Sequence, residues 1–308
     1  MAQTIAVQMV GFAVMLLIGY GAARSRMVTR ESLSSIIVLI QKIFLPLMFV
    51  DFIYRGMTPA LIARHAPMLA LAAVFYPTVI LAMRLVGRAL RLTGARSAAF
   101  RMSFVFGNTG FIGLPLLAAI YPRTGAADLG MFVIVDQLVF WTYGVSIASG
   151  RPRRMGIRDS VRGFLNPNIV AMAVGFGLVI LRVPLPASAA RLLDTLGAVA
   201  SPLCMVALGA LCRYSHMGPV LRSRELYVGV AVKMVAMPVA AALLVRGLPV
   251  ATELASAFLI MMSMPATTLV PLVVETEGGD ADYAVSLSVA TIAISVVTVP
   301  LVALLAGV

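Results

Sequence analysis

Charge is scarce in this chain: only 12% of its 308 residues are Asp, Glu, Lys or Arg, while 61% are hydrophobic. A chain with so little charge cannot hide its apolar surface in a soluble core, so lipid must serve as part of its solvent. Cysteine is nearly absent. Cys204 and Cys212 share one apolar run, point along the same helix and cannot bridge each other, which excludes a disulfide framework and a thiolate metal site. The two histidines, His65 and His216, fall in separate connections and read as interfacial residues, so neither a metal nor a cofactor is expected. No credible strand exists for a Walker or dinucleotide glycine pattern to follow. An intramembrane aspartyl protease needs two close carboxylates sharing a proton; Asp136 is followed by glutamine and lacks a Gly-x-Gly-Asp setting. The composition therefore speaks against an enzyme.

What the chain does have is long apolar runs. Ten windows can be marked, at 4–23, 32–54, 67–90, 98–121, 127–149, 167–183, 192–212, 226–246, 252–275 and 283–306. They predict an all-α polytopic membrane protein of ten transmembrane helices. The net charge of +12 does not point to nucleic acid, because the basic residues are distributed by loop. Sixteen arginines lie in the odd-numbered connections and six in the even ones, with Lys42 and Lys233 inside spans. This asymmetry places the odd connections in the cytoplasm and both termini outside the plasma (inner) membrane. The acidic turn "ETEGGDADY" is the exception. No Lys or Arg precedes the first apolar run, so 4–23 reads as a retained helix rather than a cleaved signal.

The basic stretch 150–164 divides the chain into residues 1–149 and 165–308, with five spans each. An odd number of spans per half inverts the second half in the membrane, the inverted-repeat plan of many secondary transporters. "FLPLMF" and "ASPLCM" set Pro46 against Pro202, and "GLPLL" and "LVPLV" set Pro115 against Pro271, at one shared offset of 156. Two runs break the helical pattern where a bilayer should least allow it: "FGNTGFIGLPLL" at 106–117 and "SMPATTLVPL" at 263–272. Glycine weakens a helix interior and proline removes a donor. Non-helical backbone at membrane depth survives only inside protein or beside water. In corresponding positions of two halves, such breaks read as a substrate site facing half-helix N-termini. Pro46, Pro77, Pro202 and Pro238 read instead as kinks.

Ionisable residues within spans need a reason, since a charge at the bilayer centre costs roughly 2.5 to 3.5 kcal/mol. Lys42 and Asp136 lie at similar depth and either pair with each other or serve transport directly. Lys233 either attracts an anion or snorkels to the interface. Asp51, four before Arg55, predicts an exposed i,i+4 pair. The 19 methionines read as adaptable packing rather than a metal path.

"GNTGFIGLPLL" resembles the fourth-helix signature of the auxin efflux carrier family, which includes plant auxin exporters and bacterial carriers for small carboxylates. "NPNIVAMAVG" at 166–175 is similar to the opening of that family's sixth helix, and Gln137 with Trp141 resembles its fifth-helix pattern. The resemblance implies that helices four and nine break and cross at mid-membrane. It implies a scaffold of helices 1, 2, 6 and 7 that also forms a homodimer contact, and a transport domain of helices 3–5 and 8–10 moving as an elevator. It implies that Asn108 contacts the substrate carboxylate and that Pro115 and Pro271 are the crossover prolines. The expected function is a secondary transporter of small organic anions such as malonate, malate or auxin-like acids. The substrate-binding candidates are Asn108, Thr109, Gly110, Pro115, Gln137, Pro265, Thr267, Thr268 and Pro271, with Asn166, Pro167 and Asn168 as the helix-six motif. The alternatives are a sodium-coupled carrier of the bile-acid-carrier type and a non-transporting sensor on the same fold.

Overall fold

A computed structural model describes residues 2–113, 116–117, 120–121, 124–151 and 166–305, excepting the side chains of 2–9, 126 and 303–305. Pro115 and most of the basic connection 150–164 lie outside the described residues. The described residues form α1 (Ala2–Arg24), α2 (Arg30–Gly56), α3 (Pro59–His65), α4 (Pro67–Ala89) and α5 (Gly94–Val105). Then come α6 (Gly125–Val139, continued by Phe140–Gly144 and Val145–Ala148), α7 (Pro167–Ile180) and α8 (Ala187–Tyr214). The chain ends with α9 (Arg224–Arg246), α10 (Thr252–Met262), α11 (Leu269–Thr276) and α12 (Ala281–Leu305). No strand occurs among the described residues. Among the described residues, six helices are long and apolar enough to cross a membrane, and Val10–Arg24, Pro167–Ile180 and Thr252–Met262 are shorter apolar helices.

Local chemistry explains several boundaries. Thr29 opens α2 with a capping box, its hydroxyl accepting from Ser32 N at 3.2 Å while Ser32 Oγ accepts from Thr29 N at 2.9 Å. Thr58 caps α3 ahead of Pro59, a residue suited to the first helical position because its missing N–H would be unsatisfied there anyway. Asn166 does the same for α7 ahead of Pro167. Inside α2 and α9, a π turn (Ile40–Phe44 and Val232–Ala236) stands just before a proline, Pro46 and Pro238. A proline ring clashes with the carbonyl of the preceding turn, and widening that turn relieves the clash.

By contacts the helices fall into two groups. In the first, α1 lies along the second half of α8, while α7 and the first part of α8 pack on α2. The α1–α8 contact is set by reciprocal glycines. A Cβ on Gly19 would come 1.9 Å from the Val206 carbonyl oxygen, and one on Gly209 would come 2.0 Å from that of Leu16. Only glycine permits backbones to approach that closely. In the second group, α4 packs on α5 and α6, and α12 packs on α5, α10 and α11. At the start of α2 one ion pair crosses between the groups, Arg30 Nε to Glu275 Oε1 of α11 at 3.1 Å.

Candidate functional site

The site begins where two helices stop. α5 ends at Val105, residues 106–108 are non-helical, and Thr109–Gly113 form a π turn. α10 ends at Met262, and α11 starts at Leu269. The two interruptions meet: Gly107 and Ala266 form an isolated antiparallel bridge. Asn108 N donates to Pro265 O at 2.7 Å, and Thr267 N donates to Phe106 O at 3.2 Å. Buried backbone groups released where a helix breaks need partners; here each break supplies them to the other.

Side chains from neighbouring helices complete the set. Thr291 of α12 accepts from Ala266 N at 3.1 Å. Lys233, only 2% exposed, donates from Nζ to Val105 O at 3.4 Å, placing a cation at the carbonyl end of α5 where the helix dipole is negative. Of the two alternatives for Lys233, attracting an anion or snorkelling to the interface, its burial against the Val105 carbonyl does not favour snorkelling. An aromatic cluster backs the break: Phe106 stacks on Tyr76 with centroids 5.9 Å apart and meets Phe140 edge-on at 5.0 Å.

Asp136 is buried and accepts hydrogen bonds from the Tyr76 hydroxyl and from Gln137 Nε2, the latter at 2.8 Å. Gln137 in turn accepts from Trp141 Nε1 at 2.9 Å. The pairing of Lys42 with Asp136 is not formed. Lys42 lies on the exposed side of the π turn in α2, whereas Asp136 faces inward to Tyr76 and Gln137. Asp51 and Arg55 do pair, at 2.6 Å, and Arg55 also reaches Asp194 at 3.6 Å.

Thr109, Gly110, Asp136, Gln137 and Thr267 line one narrow cleft together with Leu45, Met48, Phe49, Gly107, Phe111, Phe140 and Leu269. Its free volume is about 10 Å³, room for a single water. No Lys or Arg is among these lining residues. A larger cavity of about 530 Å³ shares Met48, Gly110 and Phe111 with it and opens between the two helix groups, with Asp51, Arg55 and Asp194 on its wall. Asn108 stands one residue behind the cleft wall and is fully buried. Its Oδ1 accepts from Phe111 N at 3.3 Å, while its Nδ2 has no partner among the described residues.

The remaining candidates have other roles. Pro265 supplies the carbonyl bonded by Asn108. Thr268 turns away to Cys204 of α8, Oγ1 to Sγ 3.3 Å. Pro271 occupies the first turn of α11, where a missing N–H costs nothing. The Asn166–Pro167–Asn168 motif is not in the cleft: Asn168 Nδ2 donates to Gln41 O at 3.0 Å, satisfying a carbonyl in the π turn of α2. Sequence reasoning missed Tyr76 and Thr291, whose only signal was polarity within a span. Nor did it foresee the partner of His65, which is buried and lies 2.6 Å from Asp128.

Comparison with known families gives one result. The model described as Membrane transport protein, the auxin efflux carrier domain, matches the chain twice, over residues 4–160 and 150–303. No curated protein matches it.

Proposed function

This chain belongs to the membrane transport protein family of the auxin efflux carriers, a family of transporters rather than enzymes, and on that premise we propose that it carries small organic anions across the membrane it spans. The supporting observation is the meeting of the two helix interruptions beside an apolar cleft, with an unpartnered amide donor on Asn108. A carboxylate there would take the Asn108 Nδ2 hydrogens and the positive end of α11, whose first residue, Leu269, lines the cleft. Thr109, Thr267 and Gln137 are the neighbouring polar groups. A second carboxylate would face Asp136, and the nearest amine, Lys233 Nζ behind Gly107, is already held by the Val105 carbonyl. The cleft therefore favours one carboxylate on an apolar body, flanked by Phe111, Phe140 and Met48.

The cleft is nearly closed, so transport requires it to widen. The helix group of α4–α6 and α9–α12 would slide against α1, α2, α7 and α8 in an elevator cycle. The two halves of the chain would act as inverted repeats, with ten spans and the crossing of helices four and nine at the site. Asp136 would exchange a coupling proton, a role supported by its hydrogen bonds from Tyr76 and Gln137. A dimer through the first group and an inner-membrane location with both termini outside complete the reading.

The test is a thermal-shift screen of the purified protein against indole-3-acetate, malonate and malate. A ligand at 100 times its Kd stabilises by about 2.7 kcal/mol. The apolar monocarboxylate is expected to raise the melting temperature more than either dicarboxylate, and Asn108→Ala to abolish the rise. No shift with any acid, or a shift that survives in Asn108→Ala, overturns the site.

A further inference from the structure

Among the described residues, one ion pair away from the cleft has both partners buried. His65 Nδ1 lies 2.6 Å from Asp128 Oδ1, with the residues 4% and 0% exposed. The second nitrogen of His65 and the second oxygen of Asp128 have no partner among the described residues. Glu253 belongs to the same cluster. Thr124 accepts the Asp128 N–H on its carbonyl at 3.0 Å and donates its hydroxyl to Glu253. The other ionisable groups that act here are the exposed Arg64, next to His65, and Tyr121.

The placement gives this cluster leverage. His65 is the last residue of α3, the short helix joining α2 of the first group to α4 of the second. Asp128 is in the first turn of α6, and Glu253 in that of α10. Two residues along α6, a Cβ on Gly130 would meet Met57 at the end of α2 at 1.8 Å. The cluster thus sits where the connecting helix, α6 and the end of α2 converge.

We propose that His65 and Asp128 form a proton-binding site, separate from the cleft, whose protonation sets how firmly α3 is held to α6. With a proton from the aqueous phase bound to the imidazole, the pair is imidazolium against carboxylate and carries no net charge. Without it, the Asp128 carboxylate is buried beside Glu253 with no buried cation to balance it, only the exposed Arg64 nearby, an arrangement that an apolar interior penalises. Histidine is the side chain that ordinarily changes charge between about pH 5 and 8. The donors do not gather into a set of three that would hold a metal among the described residues.

The test uses the full chain in detergent without substrate, melted at several values between about pH 5 and 8. Wild type is compared with His65→Gln, Asp128→Asn, their double variant, and His216→Gln as the exposed control. The gap between wild type and His65→Gln is expected to be widest at the acidic end and to shrink toward the alkaline end. The double variant should melt no lower than Asp128→Asn, and His216→Gln should keep the wild-type profile. A His65→Gln curve parallel to wild type, or substitutions that add at every pH, overturns the proposal. The chain has only two histidines, so isotope-labelled imidazole spectra of the wild type offer a readout that needs no variant to fold. His65 signals that stay fixed across the same range also overturn it.

Discussion

At the scale of the residue, the site is a set of polar groups that hold one another. Tyr76→Phe removes one of two donors from the buried Asp136. A hydrogen bond to a charged group contributes about 1.5–3 kcal/mol, and a loss of that size is expected in the unfolding free energy. Thr291→Val leaves the Ala266 N–H without its acceptor, an orphaned buried group that costs about 1–3 kcal/mol. Equilibrium unfolding of each variant checks both values, and a neutral result for either would remove that bond from the account. Asn108, Asp136, Gln137 and Thr267 were legible in the sequence because amides, acids and paired threonines are conspicuous in apolar spans. Tyr76 and Thr291 were not, since both residue types sit in spans without a partner often enough to pass unnoticed. Lys42 and Lys233 looked alike in sequence, yet one is exposed and the other buried. Each lies in a π turn. An extra residue there rotates the following side chains by about 100°, one residue of a 3.6-residue turn, so helical periodicity cannot say which way they face.

At the scale of the element, both interruptions were readable from glycine and proline, but the way they satisfy each other was not. The bridge between Gly107 and Ala266 joins segments far apart in sequence, and no local pattern encodes that register. Proline position was also informative only in part. Because Pro271 lies in the first turn of α11, Pro271→Ala is expected to shift stability by less than about 1 kcal/mol, well below the ~3 kcal/mol of a proline inside a helix. The contact between α1 and α8 is far less forgiving. Gly19→Val and Gly209→Val drive a side chain into backbone, and overpacking costs about 1–3 kcal/mol where the structure can relax. Gly21→Val on the same helix meets nothing within 4 Å. The expected outcome is loss of a monodisperse, cooperatively melting species for the first two variants and not the third.

At the scale of the whole molecule, the two ends of α2 differ. Its 27 residues span about 40 Å at 1.5 Å per residue. At one end Arg30 ties the helix groups together through Glu275; at the other, Arg55 lines the open 530 Å³ cavity. If the groups slide during transport, a disulfide between Arg30→Cys and Glu275→Cys, formed in a chain lacking its native cysteines, should stop uptake into proteoliposomes, and reduction should restore it. Uptake unchanged by the cross-link would mean that this contact stays in place throughout the cycle. The apolar windows and the charge census revealed a multi-pass membrane protein, because both follow from bilayer thickness and solvation. Neither carries information on how helices group, which depends on contacts such as Gly19 on Val206. The molecule also contains a single tryptophan, and that indole donates to Gln137 on the wall of the cleft. Its indole emission therefore reports on one place only, and a change on adding an acid that has no indole of its own would read occupancy of the cleft directly, with no label attached.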